Sequence, residues 1–144
     1  MIYKSIFGLL FSLPLISAFI CEQNYWQVLA EVRFSKTLDA NGHEIDIPVF
    51  SARLQSYHGK EIMLEGYLIP LSETGAASYM FSKLPFNVCY FCGGAGPETV
   101  VELQTSKPID FTSKRIACRG ILLLNSKDPD HHIFILQNAS IVTQ

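Results

Sequence analysis

Two long segments with alternating apolar residues, each carrying a glycine near its middle, limit the fold most: "GKEIMLEGYLIPL" around Gly66 and "SKRIACRGILLLN" around Gly120. In the first, Ile62, Leu64, Gly66 and Leu68 recur with the period of two that marks a β-strand with one buried face. A central glycine lets a long strand bend sharply, as it must when it coils from one side of a small barrel to the other. Three more strand-like segments follow the same logic: "YMFSKLPF", ending before Pro85, then Thr99 to Gln104, then "HIFILQNASIV". With no long amphipathic helix between them, the expectation is a mainly β protein built on a small five-stranded OB-like barrel. The place where that fold usually holds a helix, between its third and fourth strands, contains only "TSKPIDFTSK", so the helix is expected to be shortened or missing.

Upstream, "NYWQVLAEVRF" sets Trp26, Leu29 and Ala30 at helical spacing before Val32 and Phe34 switch to alternation. Asn41-Gly42 is a strong two-residue hairpin signal, and Ile45, Ile47 and Val49 alternate after it. These features predict an additional N-terminal β-hairpin, with strands near 31–38 and 43–49. Ser51 to Tyr57 is expected to form one or two helical turns, with Phe50, Leu54 and Tyr57 on one side.

The chain has 144 residues, 49% of them hydrophobic and 17% charged, enough for one domain with a real core. A net charge of −2 with scattered basic residues argues against a nucleic-acid partner. The first twenty residues have the order of a secretory signal: Lys4, an apolar run from Ile6, then the small residues Ser17 and Ala18. The run is short for a bilayer and contains Pro14, which disfavours a spanning helix. Residues 1–20 are therefore expected to be removed, by cleavage near Ala18 or before Cys21, leaving 21–144 as a single exported domain. Its setting would be the periplasm or cell envelope. Membrane attachment would come only through a lipid on Cys21, although Phe19 and Ile20 depart from the small residues that precede a lipidated cysteine.

"GKEIMLEGYLIPL", "CYFCGGAGPETVVEL", "RGILLLN" and "FILQNASIV" together resemble a family of exported bacterial proteins of unknown function with an OB-like fold. The resemblance runs from about Trp26 to Val142, and Cys-x-x-Cys-Gly-Gly-Ala-Gly-Pro-Glu is its most specific part. It implies a barrel and an extracytoplasmic setting, and no particular activity.

Cys89 and Cys92 carry the chemistry. Thiolates two residues apart can grip one tetrahedral ion, and zinc or copper are the soft candidates. There is no second Cys-x-x-Cys, so further ligands must come from elsewhere. In a five-stranded barrel the loop between strands four and five reaches the same end as the cysteine loop, which nominates His131 and His132. The bland alternative leaves these histidines solvated, like His43 and His58. A Cys89–Cys92 disulfide is the second reading, although so short a ring removes little chain entropy. A thiol-disulfide protein of the envelope is the third, disfavoured because Gly93, Gly94 and Pro97 prevent a helix from starting after Cys92. Cys118, mid-strand, is expected to be a buried inert thiol. Gly93 to Glu98 lacks a phosphate-binding pattern and is expected to cross closely over other backbone. The expected role is binding rather than catalysis, in isolation or within an envelope protein complex.

Overall fold

A computed structural model describes residues 24–69 and 78–142. The segment read as a signal peptide, with Cys21, lies outside them. The elements are α1 (Tyr25–Leu29), β1 (Arg33–Leu38), β2 (Glu44–Val49), α2 (Ala52–Gln55), β3 (Glu61–Ile69), β4 (Ser78–Ser82), β5 (Val100–Gln104), β6 (Ile116–Leu124) and β7 (Phe134–Val142). β3 to β7 close into a barrel in the order β3-β4-β5-β7-β6, while β1 and β2 pair separately as a two-stranded ribbon. All barrel neighbours are antiparallel except β5 and β7. This is the expected OB-like barrel with an added hairpin. Residues 105–115, between β5 and β6, contain no helix.

The two central glycines work in different ways. β3 changes partner along its length, pairing with β6 from Glu61 to Gly66 and with β4 from Tyr67 to Ile69. Gly66 sits at the change, where a Cβ would lie 2.2 Å from the Ser82 carbonyl oxygen. Only a residue without a side chain lets the two backbones approach that closely. Gly120 lies at a register shift between Arg119 and Ile121. Across from it Asn138 has φ +53°, a left-handed conformation that asparagine tolerates better than most residues. The extra residue in β7 sharpens the bend there.

Inside the barrel, Leu64, Phe81, Leu103, Phe134 and Leu136 form one fully buried cluster. α1 closes its side: Trp26 stacks on Phe81 with ring centroids 6.5 Å apart, and its indole N–H donates to the Glu65 carbonyl at 2.8 Å. Burial of Trp26, Val28 and Leu29, rather than five residues' helix propensity, holds so short a helix in place.

The ribbon stands apart. Nearly every β1 and β2 residue is exposed, with Ile45, Ile47 and Val49 in a row along one face. Its turn is fixed locally, because Asp39 Oδ1 accepts from the N–H groups of Asn41 and His43, both at 2.8 Å, and Gly42 supplies φ +82°. At its base, Glu31 accepts from Ser51 Oγ and Arg53 Nη1, each at 2.7 Å. A two-stranded ribbon without a covered face is marginal in water. Its amides are expected to exchange with solvent about a hundredfold faster than those of β6, because opening the ribbon leaves the barrel intact. Hydrogen-exchange mass spectrometry checks this, and equal protection of both would show that the ribbon is held by more than its own ladder.

Candidate functional site

Alternating strand directions bring the β4–β5 and β6–β7 connections to one pole of the barrel. In the first, residues 84–97 carry no formal charge. Short 3₁₀ turns at Phe86–Val88 and Tyr90–Cys92 bracket Cys89. The Cys89 carbonyl accepts from the N–H of Cys92 at 3.1 Å and of Gly94 at 3.2 Å, drawing the segment into a tight knuckle. Gly93 takes φ +75° to allow the reversal. Gly94 then crosses the chain where a Cβ would lie 2.4 Å from the Val88 carbonyl oxygen, so this glycine run does pass closely over backbone.

The two thiols occupy different surroundings. Val101 and Leu103 point into the barrel, so Val100 faces outward. The knuckle covers that outer face and buries Cys89 against Ile69, Met80 and Val100. Cys89 is 0% exposed, whereas Cys92 stands at the surface. Cys92 Sγ donates to the Phe86 carbonyl at 3.1 Å. Desolvation first, and the adjoining Cys89 sulfur second, raise the Cys92 thiol above its ordinary range. Phe86, Val88, Tyr90 and Phe91 form an exposed apolar collar around it.

The second connection is organised by Asn125. Its Nδ2 donates to the carbonyls of Asp128, His131 and His132, and its Oδ1 accepts from the N–H groups of Lys127 and Asp128. Glu102, on the outer face of β5 and only 5% exposed, then clamps the loop to the barrel. Its Oε1 pairs with His131 Nδ1 at 2.8 Å and its Oε2 accepts from the His132 N–H at 3.0 Å. Hydrogen bonding and then charge from Glu102 raise the His131 pKa above the usual imidazole value, whereas burial lowers that of His132.

His131 and His132 therefore reach the pole of the cysteine knuckle. The His132 ring lies 6.5 Å from the Tyr90 ring, centroid to centroid, and its Nδ1 accepts from the Phe134 N–H at 3.2 Å. With His131 Nδ1 held by Glu102, each imidazole has one nitrogen engaged away from the sulfurs. Among the described residues, no three His, Cys, Asp or Glu side chains converge as a metal site. His58 is exposed, with Nδ1 accepting from the Leu124 N–H at 3.1 Å, and His43 sits exposed over its turn beside Asp39. Cys118 is fully buried, its thiol pushed up to about 12 by desolvation, as an inert core thiol requires.

Glu102 and Asn125 do not stand out in the sequence. The one usable signal is that Glu102 interrupts the apolar run Val100-Val101-Glu102-Leu103, where an outward carboxylate is ordinarily taken as solvated. Compared with protein-family models, curated proteins and solved structures, the chain matches none.

Proposed function

We propose that this chain is an exported binding module whose working end is the cysteine knuckle, and that Cys89 and Cys92 take a soft metal ion, Cu(I) in preference to Zn(II). The observation that carries this reading is the donor set. Two thiols share one tight turn, Met80 contributes a thioether to the cluster that encloses Cys89, and no hard third ligand converges among the described residues. Structural zinc requires four ligands, whereas Cu(I) is satisfied by two or three soft ones. Binding replaces two S–H bonds by two Cu–S bonds and releases two protons, so affinity rises with pH. Neither metal oxidation nor thiol oxidation is part of the step.

The test is anaerobic Cu(I) titration of the reduced protein against a chromophoric Cu(I) chelator. One equivalent is expected to bind, with affinity reduced by roughly a hundredfold or more in Cys92→Ser and in Cys89→Ser, because each removes a ligand. Undiminished binding in both variants, or none in the wild type, rejects the proposal. A second reading has its own observation: an exposed thiol beside a buried one suits a reversible disulfide. An intact mass two hydrogens lighter in the protein as isolated, with a potential above that of inert structural bridges, favours it.

A further inference from the structure

A cleft of about 350 Å³ opens on the barrel wall beside α1, and its lining contains none of the cysteines. Tyr25, Trp26, Met63, Glu65, Lys83 and Arg115 line it. Its position follows from the way β3 divides its pairing. Ile62, Leu64 and Gly66 direct their backbone groups toward β6, so Met63 and Glu65 direct theirs to the opposite edge. On that edge, among the described residues, β4 pairs with Tyr67 to Ile69 and not with Met63 or Glu65. The Glu65 carbonyl is taken by the Trp26 indole. The N–H and C=O of Met63 and the N–H of Glu65 face a stretch where no strand among the described residues pairs with them.

We propose that this cleft is a β-addition site for an extended acidic peptide segment of a partner protein. The unpaired edge of β3 calls for an extended backbone, because a strand presents alternating N–H and C=O groups at the spacing of the Met63 N–H, the Met63 C=O and the Glu65 N–H. The acidic character follows from the walls. Arg115 Nη2 lies 3.2 Å from Glu65 Oε2, which balances one positive charge, and Lys83 stands exposed across the cleft. The cleft thus keeps a surplus of one cation, and a peptide carboxylate beside Lys83 gains a charge-assisted hydrogen bond at the rim. The apolar surfaces of Tyr25 and Met63 take the alternate side chain that faces the wall. The site does not depend on the cysteines.

Trp26 is the single tryptophan of the chain and forms part of the wall, so its fluorescence reports occupancy. The full chain is titrated with an acetylated, amidated Val-Glu-Val-Glu-Val peptide, its lysine counterpart, and the acidic peptide N-methylated at alternate bonds. The acidic peptide is expected to bind saturably with a shift in Trp26 emission. Binding should weaken about tenfold or more for the lysine peptide and for Lys83→Glu, which alters only an exposed side chain. N-methylation should abolish it, because it removes the donors that complete the strand edge. Equal binding of the methylated peptide would reduce the site to a charged patch and overturn the proposal. So would indifference to peptide charge, or no saturable binding of the acidic peptide. A dimer that persists at saturating acidic peptide would give the edge to a second copy of this chain, and would overturn it as well.

Discussion

Gly66→Ala is expected to destabilise the barrel by about 3 kcal/mol or more, in the range caused by severe backbone or core clashes. The methyl group would meet the Ser82 carbonyl oxygen at 2.2 Å and the Phe81 ring at 3.1 Å. Neither neighbour can yield cheaply. The carbonyl belongs to β4 at the point where β3 changes partner, and Phe81 is fully buried. Relief requires β3 and β4 to separate over the three pairs that join them among the described residues. Thermal unfolding followed by circular dichroism should show the midpoint lowered by roughly 10 °C or more for a domain of this size. Gly42→Ala provides the contrast. Nothing lies within 4 Å of a Cβ there, and the strain comes only from φ +82°. It should cost about 1 kcal/mol, confined to the ribbon turn. Equal effects from the two variants would mean that close approach at Gly66 is not what closes the barrel.

Glu102→Ala is expected to cost about 2–3 kcal/mol, because it removes the hydrogen bonds that His131, His132 and, at 3.5 Å, Gln104 make to a buried carboxylate, and leaves the His132 N–H without its acceptor. The larger consequence lies at the pole, where the β6–β7 loop loses its attachment to the barrel. Proton linkage separates this role from simple packing. With Glu102 in place, the raised pKa of His131 favours folding below the ordinary imidazole value of about 6.5, and that contribution disappears as pH rises through the raised value. His132 has the opposite sign. Its pKa is lowered by burial, so its contribution is present above about 6.5 and is lost as pH falls through the lowered value. Imidazole resonances followed by NMR should therefore show His131 titrating above the ordinary value and His132 below it. In Glu102→Ala the His131 value should return toward normal. An unchanged His131 titration would show that the pair does not form in solution.

Period-two alternation and the glycines at 66 and 120 made the barrel legible in the sequence, because both register constraints that act locally along one strand. Asn41-Gly42 placed the ribbon turn for the same reason, although the turn closes between Asp39 and His43 around three residues rather than two, with Gly42 alone taking positive φ. The ribbon's isolation was not readable, since alternation in Ile45, Ile47 and Val49 says that one face is apolar and not that anything covers it. The pole was legible only in part. Strand direction is a topological quantity, so it correctly sent the loop with His131 and His132 to the end with Cys89 and Cys92. Side-chain engagement is a tertiary quantity. No local pattern reveals that Glu102 takes His131, that Phe134 occupies His132 Nδ1, or that the outer face of β5 is roofed by the knuckle. Both thiols looked equally accessible in the sequence, because the burial of Cys89 depends on Ile69, Met80 and Val100, brought together from three different strands.

The pairing of β3 with β6 joins residues fifty to sixty positions apart, and the parallel contact between β5 and β7 needs the last described strand. Such long-range contacts give high contact order, so folding should be slow for the chain's size, in the millisecond-to-second range of barrel topologies. An emerging polypeptide cannot complete the barrel before residue 142 is free, and until β6 has emerged β4 is the one described strand that β3 can pair with. Until β7 pairs, the edges of β5 and β6 that it will occupy stay open to other chains.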